Sequence, residues 1–124
     1  NRSALLKGAL TPAAEHLSPV LAPLKKNSDA AKKVAERIGT DLPSLALRFA
    51  LSHGETSSVL VGTNKLKHLE SALAASEAGP LPQDILNELY ALAIDDPMQV
   101  DPKNWPSSMV ADTKNGKKVP HPDR

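Results

Sequence analysis

The run SSVLVGTNKLKHLESALAA, residues 57 to 75, sets the tightest limit on the fold. Its first part, SVLVG at 58 to 62, is short, apolar and rich in Val, the pattern of a strand buried on both faces. NKLKHLESALAASEAG follows directly, with Leu66, Leu69 and Leu73 recurring at helical spacing and Gly79 as a stop. A second apolar run, SALLKGALT at 3 to 11, is broken by Gly8 and closed by Pro12, and reads as a strand with its exit turn. Two strands cannot make a sheet that covers both of its own faces, and parallel neighbours need a crossover of roughly a dozen residues. The chain therefore reads as part of something larger.

Helical patterns fill the rest. SPVLAPLKKN at 18 to 27 carries two prolines and reads as a loop with a turn of helix. Ser28 is placed to cap a helix over DAAKKVAERIG, with Val34 and Ile38 on one face and Gly39 as the stop. TDLPSLALRFALSHG offers Asp41 or Thr40 as cap, Pro43 in the first turn, and Leu45, Phe49 and either Leu47 or Leu51 on adjoining faces. Such a helix, apolar nearly all round, should be largely buried. GPLPQDILNELYALAI puts Pro82 in a first turn and Ile85, Leu86, Leu89 and Leu92 on an apolar face. After Asp95 the periodicity stops and five prolines fall among 30 residues, so residues 1 to 94 form one unit and 95 to 124 an irregular tail.

Composition agrees with a helix-rich single domain. The 124 residues are 40% hydrophobic, nearly all Leu, Ala, Val and Ile, with one Trp, one Tyr and one Phe. Fifteen basic against fourteen acidic residues give no field for a polyanion, so nucleic acid is not expected as a partner. The absence of cysteine removes disulfides, thiolate catalysis and thiolate zinc sites, and fits a reducing, cytoplasmic setting. No apolar run approaches the roughly 20 residues of a membrane span, and the basic-then-apolar order of a signal peptide is missing.

The turn from 62 into the following helix is the clearest place for a ligand. A helix N-terminus presents unpaired N–H groups and the positive end of its dipole, which favours an anion. Gly62 allows close approach of backbone, Thr63 and Asn64 can cap or donate, and Lys65 and Lys67 add positive charge, so phosphate is the natural guest. The plainer alternative is that Asn64 only caps the helix and the lysines are solvated. In parallel α/β folds sites form at the C-terminal edge of the sheet, and in the eight-stranded barrel the loops after the last two strands make a phosphate site.

Taken in order, SALLKGALT, LPSLALRFALSH, SSVLVGTNKLKHLESALAA and GPLPQDILNEL resemble the C-terminal third of an aldo/keto reductase, over residues 2 to 94. That family is a (β/α)8 barrel that binds NADPH and reduces carbonyls. The resemblance implies an α/β fold: the last two strands of a TIM barrel with their helices, followed by the tail. It also implies NADP(H) as cofactor, a small aldehyde or ketone as substrate, and the remaining N-terminal part of the same barrel as partner. The family's Ser-Pro-Leu-x-x-Gly pattern, which touches the cofactor pyrophosphate, maps to Ser3, Leu5 and Gly8, with Ala4 replacing the proline. Arg2 stands where the family puts an aromatic or arginine beside the nicotinamide. Gly62, Thr63 and Asn64 match the pattern after the eighth strand, and His68 takes the Gln/Arg position. Ser71 and Ala72 replace the usual Glu and Asn near the adenine, which leaves the 2′-phosphate to Asn64, Lys65 and His68.

The family's proton donor resembles a Tyr tuned by a Lys, with an Asp and a His nearby, all on the first four strands. No catalytic residue is therefore assigned here, and the segment alone should be inactive. Tyr90, on a helix beyond those positions, reads as a packing residue rather than the acid. His16 falls in a loop, His53 after a helix whose last carbonyls it can meet, and His121 in the tail; no pair has metal-ligand spacing. Asp95 and Asp96 read as loop acids at a helix end. Trp105 either lines the carbonyl pocket from a C-terminal loop or pins the tail to the outside of the fold, and KNGKKVPHPDR at 114 to 124 reads as an ordinary flexible terminus. The competing reading of the whole is a small self-standing helical binding module without catalysis.

Overall fold

The computed structural model describes Asn1 and residues 4 to 106. Five α-helices follow in order: α1 (Ala22–Arg37), α2 (Leu42–Leu51), α3 (Leu66–Glu77), α4 (Gln83–Tyr90) and the single turn α5 (Pro97–Val100). Short 3-10 turns at Leu6–Gly8, Pro12–His16, Pro19–Leu21 and Pro102–Asn104 bracket them. Among the described residues no helix is long and apolar enough to cross a membrane.

The expected strands are not formed, so the described residues do not show the last two strands of a barrel. Residues 4 to 11 coil instead: Gly8 N–H and Leu10 N–H both donate to the Leu5 carbonyl, at 3.0 and 3.3 Å. Residues 58 to 62 form no strand among the described residues. Among the described residues the Asn1 nitrogen donates to Ser58 O at 2.7 Å and Leu60 N–H donates to Asn1 O at 2.8 Å. Donor and acceptor from one residue to positions two apart is the pattern of a parallel bridge centred on Val59. A ladder needs a neighbouring strand along its whole length, and without one the apolar run leaves Leu60 66% exposed.

Helix α1 starts earlier than its periodicity predicts. Pro23 sits in its first turn, where a missing N–H costs nothing, so the proline-bearing stretch continues into helix. Ser28 is consequently an interior residue, not a cap; it is buried, and its Oγ donates to the Ala9 carbonyl at 2.6 Å. At the other end Gly39, at φ +75, closes the helix as Thr40 N–H reaches back to Ala35 O at 2.9 Å. Helix α2 forms where expected. Asp41 Oδ1 accepts from Ser44 N–H at 2.8 Å, Pro43 lies in the first turn, and Leu42, Leu45 and Leu47 are buried.

The main core is built by α1, α2 and α4: Ala31, Val34 and Ala35 meet Leu42 and Leu45, then Leu81, Ile85 and Leu86. Pro82 is the N-cap residue of α4, one step outside the first turn expected for it. The α3–α4 connection is fastened to α2 by Arg48, whose Nε donates to Gly79 O at 2.9 Å and whose Nη2 donates to Pro80 O at 3.2 Å. Ser52 completes the joint, since its Oγ accepts from Leu81 N–H at 2.8 Å. Helix α3 packs on α2 with Ala75 buried and Ser71 and Ala72 half-buried on the same side. Its leucine face is turned outward instead of into a core, leaving Leu66, Leu69 and Leu73 exposed.

Part of the expected tail is also ordered. Asp96 Oδ1 accepts from Met98 N–H and Asp101 Oδ1 from Lys103 N–H, each with proline as the next residue, so both aspartates cap short turns. Asp96 is a helix start and not a loop acid at a helix end. A second cluster then forms from Ala9, Leu21, Leu24 and Trp105, with Leu6, Leu17 and Ile94 packed against it.

Leu45 is only 1% exposed, so Leu45→Ala should lower stability by about 2–5 kcal/mol in denaturant unfolding. The exposed Arg37–Glu88 pair, bonded through both carboxylate oxygens, gives a pH test. The hydrogen bond from Arg37 holds the Glu88 carboxyl below the usual carboxylate range. Its small contribution is therefore complete above the ordinary glutamate range and lost as pH falls through the lowered value. A side-chain NMR titration should find Glu88 protonating below an ordinary glutamate, and Arg37→Ala should return it to the ordinary range.

Candidate functional site

Two segments carry the residues expected to meet a cofactor. In the first, Leu6, Lys7 and Gly8 all have positive φ, at 44, 49 and 91°. Left-handed backbone suits Gly8 but costs a residue with a side chain about 1–2 kcal/mol, so two successive non-glycine residues there require support from their surroundings. Leu5 and Gly8 are half-buried in this turn, and Lys7 is exposed. Arg2 and Ser3, the other two residues expected to touch the cofactor from this side, lie outside the described residues.

The second segment runs from Gly62 to His68. Gly62 is open: a Cβ built there meets nothing within 4 Å, so close approach by a ligand is sterically free. Thr63 Oγ1 accepts from Lys65 N–H at 3.1 Å and folds the chain into α3. Lys65 is the N-cap position of α3, but no side chain caps the helix and no acidic residue stands in its first turn. Asn64 is not the cap that the plainer sequence reading makes it. Asn64, Lys65, Lys67 and His68 are all exposed around this end. Lysines beside a helix N-terminus oppose the dipole, which makes the site unfavourable as it stands and receptive to an anion.

The two segments are tied indirectly, because the Asn1 bridge holds the N-terminal end beside residues 58 to 60, which lead into Gly62. They do not converge on one cavity. A cavity of about 620 Å³ is lined by Ala4, Leu6 and Leu10 from the first segment, whereas Gly62 to His68 do not line it. Its walls are mainly apolar, with Leu45, Phe49 and Leu92 among them. Several of its polar members are already engaged: Asn27 Nδ2 donates to Leu92 O at 2.8 Å, and Ser28 to Ala9 O. It offers packing surface more than polar chemistry.

A contact between His53 and Tyr90 escaped the sequence pattern. His53 Nδ1 lies 2.8 Å from the Phe49 carbonyl, which can only accept, so Nδ1 carries the hydrogen. In the neutral ring Nε2 then accepts from the Tyr90 hydroxyl at 2.9 Å. Phe49, His53 and Tyr90 meet edge to face, with centroids 4.9, 5.4 and 5.9 Å apart. The meeting of His53 with the last carbonyls of α2 is as expected; the spacing of Phe49 and His53 shows one side of the cluster, but nothing local links either to Tyr90. The hydroxyl of Tyr90 is committed to the imidazole, so it serves to join α4 to α2.

Trp105 is buried in the second cluster and does not line the cavity; its Nε1 donates to Gln99 O at 3.1 Å. This placement pins the segment after α4 to the start of α1. Among the described residues no group of three or more His, Asp or Glu could hold a metal ion.

Residues 1 to 94 match the aldo/keto reductase family. The chain belongs to that family, a family of oxidoreductases. No curated protein and no solved structure matches it.

Tyr90→Phe removes the bond to His53 and leaves the ring contacts. It should lower stability by up to about 1 kcal/mol in thermal or denaturant unfolding, and an unchanged midpoint would show that the exposed bond adds nothing to the joint.

Proposed function

We propose that the chain acts in an NADPH-dependent reductase of aldehydes or ketones, where its two loop segments hold the cofactor's phosphates. The observation that carries this reading is the start of α3, uncapped, free of acidic residues and flanked by Lys65 and Lys67 behind an open Gly62. Unpaired N–H groups there suit a phosphate, and Asn64, Lys65 and His68 are exposed around it for the 2′-phosphate. The left-handed Leu6–Gly8 turn, with Leu5 beside it, offers backbone to the pyrophosphate. Bound NADPH would supply the hydride. The chain's own part is to bind and orient, since its one tyrosine is spent on His53.

The proton donor then comes from elsewhere in the protein. We assign the Tyr, Lys, Asp and His of the reaction to a remaining N-terminal portion of the reductase, packed on the apolar cavity and on the outward leucines of α3. Exposed Leu66, Leu69 and Leu73 support this, because a stripe of three leucines left in water is unfavourable. The self-standing helical module is the second reading, and the all-helical order with its own core is the observation in its favour. It predicts cooperative folding without a partner and no affinity for NADPH.

Lys65→Asp separates the two. An aspartate at this N-cap position should stabilise α3 by about 1 kcal/mol, because it supplies the missing cap. In the full-length natural protein the same change should weaken NADPH binding by about tenfold or more, through loss of a cation and repulsion of phosphate. A rise in thermal midpoint with unchanged NADPH affinity would overturn the phosphate assignment.

A further inference from the structure

We infer that Ser28 and Trp105 are positioning residues for the pyrophosphate contact, holding the Leu6–Gly8 turn left-handed through Ala9 and Leu6. The inference rests on the reading above for its ligand and on the packing for its mechanism. Left to itself, a chain with side chains at Leu6 and Lys7 leaves this region of backbone, and the turn's own hydrogen bonds are short-range. One buried and one partly buried anchor oppose that.

The first anchor is Ala9, which is fully buried and whose carbonyl accepts from Ser28 Oγ. Because Ser28 is itself 2% exposed, water cannot replace the bond. The second anchor is Leu6, packed against the cluster that Trp105 forms with Ala9, Leu21 and Leu24. Trp105 is locked in its turn. Its Nε1 donates to Gln99 O, while the Gln99 side chain accepts from Leu24 N–H at 3.2 Å and donates to Val20 O at 2.9 Å. Leu24 and Ser28 lie one turn apart on α1, so one helix face supports both anchors. Segment 96 to 105 therefore acts as a strap across the turn, and the shape of the phosphate-facing backbone is set by residues that never touch the ligand.

The test uses the full-length natural protein with Ser28→Ala, Trp105→Ala and the milder Trp105→Phe, which keeps an aromatic ring but loses the bond to Gln99. Two ligands are titrated: NADPH, and adenosine 2′-monophosphate, which lacks a pyrophosphate and reaches only the α3 end. Ser28→Ala and Trp105→Ala should weaken NADPH about tenfold, with Trp105→Phe between them and wild type, while the monophosphate changes by no more than about twofold. Amide exchange at Gly8, Ala9 and Leu10 should quicken in the same variants, with α3 and α4 amides unchanged. Equal loss of both ligands, or unchanged NADPH affinity, would overturn the positioning role, and unchanged exchange at Gly8 to Leu10 would overturn the grip itself. If the natural protein binds neither ligand, the reductase reading fails and with it the pyrophosphate role, while the exchange measurement still decides whether the strap holds the turn.

Discussion

Helix α1 begins after Leu21 with no capping side chain next to it, and the buried Leu24 amide in its first turn must find a partner elsewhere. Gln99 provides one, accepting from Leu24 N–H while its amide nitrogen holds the Val20 carbonyl. Gln99 is 5% exposed, so this pairing is made where water cannot compete. The remaining architecture is stacked on that start. Leu24 carries the second cluster, Ser28 one turn later holds Ala9, and Ala31, Val34 and Ala35 enter the main core in succession.

The same helix therefore links two tasks. Its middle meets α2 and α4 and supplies cohesion, whereas its first two turns govern the conformation of residues 5 to 10. A strained turn persists only when packing over-determines it, and Ser28 with the Trp105 cluster packs against this one. The α3 start works differently. It is exposed, its lysines oppose the helix dipole, and its leucines face outward.

Legibility in the sequence followed the range of the interactions. Asp41 with Pro43, and the apolar spacing of Ile85 and Leu86, act within one or two turns; α2 formed as read, whereas α4 starts after Pro82 and ends at Tyr90, short of Leu92. The Asp96–Pro97 and Asp101–Pro102 steps were equally local signals of capped turns, but the surrounding prolines made the segment look irregular. The apolar run at 58 to 62 misled for a physical reason: a strand is a relation between segments, and an extended conformation without a ladder has the same residues. Leu66, Leu69 and Leu73 misled likewise, because periodicity reveals a face and not what covers it.

By itself the sequence determined the helix-forming character of the chain, most of its caps and stops, and the family to which it belongs. These depend on residue type and short spacing. Only the tertiary structure decided that Ser28 is an interior hydrogen-bond donor, that Gln99 completes α1 from 75 residues away, that Tyr90 joins His53, and that Trp105 is core. Each of these requires a polar or aromatic group to find a partner distant in the chain, and such partners are chosen by packing, which local pattern does not encode.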